Sequence, residues 1–276
     1  MGDIRMVPRC QDRGNESGRP TESRGPGAGI PGATYPLEFD DRLERCLSTV
    51  VALDPTSVLD VGCGDGFFLS ELRRRLPQPT TFCGLEANAE AARRAQERGF
   101  DCREGLADAG LPFPSAMFDV VFAGEIIEHV ADTDGMLEEL HRVLRPGGHL
   151  LLTTPNLLAW YNRLLCLAGV TPMYVEHSYR ASYGPSWSLC GRVTSAVGHL
   201  RIFTYTTLAM VLRQDEFEVL WIRGAARLPV RLLWPLDRLV ARVRPRMAAQ
   251  LMALAVRGER PADSLGSSSG RSGAGS

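Results

Sequence analysis

Two short stretches of the sequence group residues able to do chemistry. The first, Val58-Leu59-Asp60-Val61-Gly62-Cys63-Gly64-Asp65-Gly66, sets a glycine-rich turn between an apolar run and a helical one. Glycines there let the backbone approach a ligand closely, and the helix that follows presents unpaired N–H groups. Tight strand-to-helix turns also carry glycines for packing alone, so the turn gains specificity from its partner. The next apolar run ends in Glu86, about twenty residues beyond the first glycine, where a doubly wound fold sets an acid against the two hydroxyls of a ribose. The second stretch, Gly124-Glu125-Ile126-Ile127-Glu128-His129-Val130, gathers two acids and an imidazole. On a helical turn Glu125, Glu128 and His129 fall at i, i+3 and i+4 and share a face. That donor set can bind a divalent cation or orient the histidine as a general base. A packing reading, in which Glu125 and His129 only shape the pocket and pair locally, stands beside it.

The elements that must position these residues alternate short apolar runs with helical segments, the pattern of a mostly parallel, doubly wound α/β sheet. A leading amphipathic helix is expected over 37–52. Strands are expected over 57–61, 80–85, 100–103 and 120–123, the last continuing the run begun at Phe118, and a fifth over 149–153. The helices between them fall at 67–76, 88–98 and 133–144, with Gly99 as a C-cap and Arg145-Pro146-Gly147-Gly148 as a turn into the fifth strand. Beyond Pro155 come a helix over 157–167 and an irregular stretch over 169–200 that reads as a lid-like insertion. Within it Tyr174, His177, Tyr179, Tyr183, Trp187 and His199 can line a pocket or simply pack. Arg201 can meet an anionic substrate group or a surface acid. A helix over 206–213 and strands over 217–222 and 251–256 complete a seven-stranded sheet. Between the last two, residues 228–243 mix leucines with arginines; they can pack on the last strands, cover the pocket, or rest on a membrane or lipid substrate. Residues 1–34 and 259–276, rich in Gly, Pro, Ser and Arg without apolar periodicity, are expected to be disordered around a single domain over 35–258.

The composition narrows the partners. The formal net charge is -1, and all 31 basic residues are Arg. A dedicated nucleic-acid binder would carry a concentrated basic excess, so none is expected. The seven cysteines form no C-x-x-C pair and no zinc spacing, which fits reduced thiols. With no apolar leader at the N-terminus and no run long enough to span a bilayer, the expected location is the cytoplasm.

The glycine turn and Glu86 together resemble the class I S-adenosylmethionine-dependent methyltransferases, over roughly residues 43–256. Asp60 to Gly66 is similar to their first motif. Leu111-Pro112-Phe113-Pro114 with Phe118-Asp119-Val120-Val121 resembles the approach to their fourth strand, and Arg142 to Gly148 their turn into the fifth. The resemblance implies a Rossmann-like methyltransferase fold with S-adenosyl-L-methionine as cofactor. It implies that Gly62, Cys63, Gly64 and Gly66 form the cradle, that Asp60 orients the amino group and that Glu86 holds the ribose. The adenine contact falls to Asp108, to Glu104 or to backbone at Leu106, with Asp108 preferred. The Glu-Ile-Ile-Glu-His segment is similar to that of ubiquinone-pathway O-methyltransferases and to the E-x-x-E-H metal site of small-RNA 2′-O-methyltransferases. A further histidine completes that metal site, for which His199 and His177 are candidates; no metal is assigned. Residues 153–163 and 198–204 resemble bacterial methyltransferases associated with surface glycans, lipids and secondary metabolites. The implied activity is O-methylation of a small-molecule, sugar or lipid-linked acceptor, with His129, Glu125 and His199 as the catalytic candidates. RNA 2′-O-methylation and a non-catalytic cofactor-binding protein are the alternatives.

Overall fold

The computed structural model describes residues 41–77, 79–178, 198–227 and 231–258. The expected disordered ends, residues 37–40 of the leading helix, and Tyr179, Tyr183 and Trp187 lie outside them. The elements run α1 (Arg42–Ala52), β1 (Ser57–Val61), α2 (Phe67–Arg75), β2 (Thr81–Glu86), α3 (Ala89–Glu97), β3 (Asp101–Glu104), β4 (Phe118–Gly124), α4 (Thr133–Val143), β5 (Leu144–Pro155), α5 (Trp160–Leu167), α6 (Tyr205–Gln214), β6 (Phe217–Ala225), α7 (Trp234–Val243) and β7 (Gln250–Arg257). One sheet takes all seven strands in the order β3-β2-β1-β4-β5-β7-β6. The first five pair in parallel, and β7 lies antiparallel between β5 and β6.

Period-two alternation along the central strands divides the core into two layers. Val121 and Ala123 of β4, Leu150 and Leu152 of β5 and Leu251, Ala253 and Ala255 of β7 join Leu137 and Leu140 of α4 and Leu208 and Leu212 of α6. Their neighbours Val120, Phe122, Leu151, Met252 and Leu254 face the other way, onto Leu47 of α1, Leu69 and Leu72 of α2 and Ala95 of α3. Helices on both faces of a largely parallel sheet make the fold doubly wound, as the alternation of elements predicts.

Capping chemistry sets several helix starts. The Asn88 side chain accepts from Ala91 N–H at the head of α3, and Asp132 accepts from Gly135 N–H at the head of α4. Several boundaries differ from expectation, β6 running on to Ala225 among them, and two of the shifts have a visible cause. β5 begins at Leu144 rather than at residue 149, because Leu144 already pairs with Phe118 before an irregularity resets the register at Val120 and His149. α5 begins at Trp160 rather than at residue 157. Asn156 intervenes: its side-chain amide donates to the Ala248 carbonyl at 2.8 Å, and its carbonyl oxygen accepts from Leu158 N–H, so the chain turns before it coils.

The fit between β6 and the connection that follows is tight at Gly224. A Cβ there would overlap that of Ala248 and lie 2.7 Å from the Ala241 carbonyl oxygen. Gly224→Ala is therefore expected to cost about 1–3 kcal/mol by overpacking, a fall in Tm of roughly 2–12 °C for a domain of this size, read by thermal denaturation.

Candidate active site

The carboxyl ends of β1, β2, β4 and β5 converge on one edge of the sheet. At β1 the turn is held by Gly62 and Cys63 N–H groups, which both donate to the Leu85 carbonyl, at 2.8 and 3.1 Å. Gly62, Gly64 and Gly66 all take φ between +56° and +79°. At Gly64 a Cβ would meet nothing within 4 Å, so the turn presents bare backbone toward open space, while Gly66 is pressed against Phe100 and Ala95. The Glu86 carboxylate clasps this turn, accepting from Gly64 N–H at 2.9 Å and from Asn88 N–H at 2.8 Å. Asp60 is 3 % exposed. Burial, with the nearby charges of Glu86 and Cys102, pushes its carboxyl up to about 8. The Cys63 thiol is turned into the core, 3.3 Å from that of Cys102, so Cys63 serves the cradle by its backbone.

Past β3 the backbone passes Leu106, about half exposed. Asp108, the preferred adenine contact from sequence, is engaged elsewhere: one of its oxygens accepts from Ala131 and Asp132 N–H at 2.8 and 3.2 Å, bracing the loop before α4.

At the end of β4 the helical turn expected for residues 125–129 does not begin at Glu125, whose φ is +59°. This left-handed residue sets its carboxylate among side chains of α1, β5, β7 and the segment after β6. There it takes ion pairs from Arg42 and Arg227 and hydrogen bonds from Gln250 at 2.8 Å and Thr153 at 3.1 Å. Burial pushes the Glu125 carboxyl up, but the two guanidiniums outweigh it and hold the group at about 2. The shared helical face of Glu125, Glu128 and His129 is therefore not formed, and the Glu125 carboxylate is taken up by two arginines, Thr153 and Gln250.

His199, from the end of the insertion, takes its place. The described ligand atoms of Glu128, His129 and His199 lie within 4.8 Å of one another, and the two imidazole centroids are 4.8 Å apart. Glu128 is 1 % exposed; one carboxylate oxygen accepts from Thr154 Oγ1 at 3.0 Å and the other has no partner. Burial, then the charge of Glu125, keeps its carboxyl well above the usual range. His129 Nδ1 lies 3.1 Å from the Gly198 carbonyl oxygen. A carbonyl only accepts, so Nδ1 carries the proton and Nε2 is the basic nitrogen. Burial and the neighbouring His129 lower the pKa of His199, favouring neutral imidazole. Glu176 fixes the approach of this segment by accepting from Gly198 and His199 N–H at 2.8 and 3.2 Å. His177 is exposed and outside the cluster. Arg201, expected at an anion or a surface acid, instead donates to the carbonyls of Val130 and Ala131, each at 2.7 Å. No spacing rule signals Arg42, Glu176, Arg227 or Gln250, which come from four separate parts of the chain.

Residues 59–152 match the family described as a methyltransferase domain. Over those residues the chain is similar to methyltransferase domains. Over 122 residues it is 35% identical to an uncharacterized methyltransferase of Mycobacterium tuberculosis, covering 43% of this chain and 60% of that protein. A ubiquinone biosynthesis O-methyltransferase of Caulobacter vibrioides is 32% identical over 137 residues, or 49% of this chain and 53% of the relative. The chain thus spans little more than half the length of these relatives. The putative methyltransferase of Haloferax volcanii, solved with the Trm112 methyltransferase activator, is 21% identical with a TM-score of 0.53 over 79% of this chain and 92% of that one, which establishes the shared fold.

Proposed function

We propose that the chain binds S-adenosylmethionine in the Asp60–Gly66 and Glu86 cradle and methylates a hydroxyl of a small-molecule, sugar or lipid-linked acceptor. The observation that carries this reading is the meeting, at one sheet edge, of a glycine turn clasped by an acid and a pair of half-buried imidazoles beside the buried Glu128. The cofactor supplies a methyl group already activated by a sulfonium, so transfer is a single displacement. The residues fit such a group: bare backbone at Gly64, a buried acid at Asp60 for an amino group, and Glu86 for vicinal hydroxyls. Asp108, Glu104 and backbone at Leu106 are the candidates beside an adenine. His129 Nε2 and His199 are the candidates to take the acceptor's proton, and burial, by excluding water, favours productive alignment. The O-methyltransferase relative supports a hydroxyl acceptor, and the bacterial glycan, lipid and secondary-metabolite resemblance supports its class.

Titration calorimetry with S-adenosylmethionine and its demethylated product tests the cofactor. Saturable binding is expected, and Glu86→Ala should weaken it at least tenfold, since hydrogen bonds to a charged group are worth about 1.5–3 kcal/mol. A folded chain that binds neither would leave a protein without this cofactor and withdraw the proposal. Unchanged affinity in Glu86→Ala would withdraw the ribose assignment alone.

A second reading adds a divalent cation. The partnerless Glu128 oxygen and the partnerless His199 Nδ1 belong to the one described group with ligand spacing, and their oxygen and nitrogen donors suit such an ion. Calorimetry with magnesium or manganese alone should show binding that Glu128→Gln removes, and transfer should stop on chelation. Absence of binding, with transfer surviving chelation, sets the cation aside.

A further inference from the structure

α7 has two apolar faces, and the fold uses only one. Trp234, Asp237 and Ala241 lie on the inner side, where the helix packs against β6. Asp237 is fully buried and accepts from Trp160 Nε1 and Arg227 N–H, each at 2.9 Å. On the opposite side Leu232, in the turn just before α7, and Leu236, Leu239 and Val243 recur at spacings of four, three and four, which align on a helix. They are 87%, 44%, 58% and 60% exposed. The Trp160–Asp237 bond sets α5 beside this helix, and α5 contributes Leu164 and Leu167, 57% and 86% exposed. Single exposed leucines are ordinary, but four large aliphatic groups aligned along one helix, with two more exposed on a helix tied to it, are more than a lone soluble surface commonly keeps.

The charge around the patch is of one sign. Residues 231–247 carry five arginines and one acid, and that acid is Asp237, buried on the inner side. Arg238 and Arg242 flank the leucine stripe and are exposed. No helix among the described residues is long and apolar enough to cross a membrane. We infer that α7 is a docking surface for an anionic lipid bilayer, its leucines entering the acyl boundary and its arginines meeting the headgroup phosphates. An in-plane amphipathic helix takes this form: aliphatic groups on one side, arginines at the rim whose stems snorkel to the headgroups. A second copy of the chain fits less well. Two-fold pairing of this face would bring Arg238 and Arg242 against their own copies with no exposed acid on either helix to answer them.

The inference stands apart from methyl transfer, because binding is read without cofactor or acceptor. The purified full chain is mixed with vesicles of phosphatidylcholine alone or with 30 mol% phosphatidylglycerol, roughly the anionic content that draws polybasic surfaces, and sedimented. At least tenfold tighter association with the anionic vesicles is expected. Leu236→Asp with Leu239→Asp should remove it, while Arg238→Glu with Arg242→Glu should remove the anionic preference. Near-ultraviolet circular dichroism and light scattering on the same samples check that each variant is folded and monomeric. Three results overturn the inference: no association of the wild type with either vesicle, association that survives the leucine changes, or a wild-type dimer that those changes dissociate, which would give the face to a second copy.

Discussion

Asp60→Asn is expected to raise the stability of the free protein at pH 8 while weakening S-adenosylmethionine binding about 100-fold. Both effects come from one buried carboxyl. In the free protein its pKa stands at about 8, against 3.8 for the unconstrained group, because burial disfavours the charged form and Glu86 and Cys102 add to the penalty. The folded form therefore holds a proton that the unfolded chain releases. The contribution to stability is complete below about pH 4 and is lost as pH rises toward 8, by up to about 1.4 kcal/mol per unit. Denaturant titrations across that window should show a falling trend for the wild type and a flatter one for the variant.

Cofactor binding runs the other way. An ammonium beside Asp60 favours the carboxylate, so affinity should rise with pH toward 8, with about one proton released per cofactor bound. It should level off there, as an α-amino group itself titrates near pH 8. The variant should bind with neither proton release nor that rise. Proton release is measured by calorimetry in buffers of different ionisation enthalpy; equal release by both proteins would refute the assignment of the amino group to Asp60.

The second large effect belongs to Glu125. Its alanine variant would leave the Arg42 and Arg227 side chains, only 16% and 17% exposed, without their shared carboxylate. Removing one partner from a buried pair costs about 3–5 kcal/mol, here a fall in Tm of roughly 10–15 °C. The loss should depend on pH in a defined direction. Glu125 is held at about 2 against an ordinary 4.5, so its contribution is complete above pH 4.5 and is lost as pH falls toward 2. Wild type and variant should converge in acid. A variant of unchanged stability that had lost only turnover would return Glu125 to a catalytic role.

These two residues show what the sequence could and could not tell. The glycine turn and its Glu86 clasp were legible because their requirements are local: Gly62, Gly64 and Gly66 take positive φ within five residues, and Glu86 ends the very next strand. The sheet was legible too, since alternation along β4, β5 and β7 is a property of each strand separately. The acceptor side was not, because it depends on where distant side chains meet. Helical spacing from Glu125 to His129 suggested a shared face, but a single left-handed residue turned the carboxylate toward two arginines 83 positions before and 102 positions after it. His199 could be named as a candidate, whereas Glu176, which aligns its backbone, carries no local signature. Nor does spacing along the chain signal that one oxygen of Asp108 also answers backbone donors at the start of the next helix.

The place of β7 has a consequence for how the protein is made. This strand pairs with β5 along seven positions and with β6 along eight, yet it is the last element described. While the chain leaves the ribosome, β5 and β6 are complete but have no bridge between them, and the outer edge of β5 offers unpaired backbone groups to any other strand. Gln250, one of the groups that hold Glu125, also arrives only with that strand. The acceptor side thus cannot take its final form until synthesis of the described fold is almost finished, so a nascent chain stopped short of residue 250 would hold the glycine cradle without the buried anchor beside it.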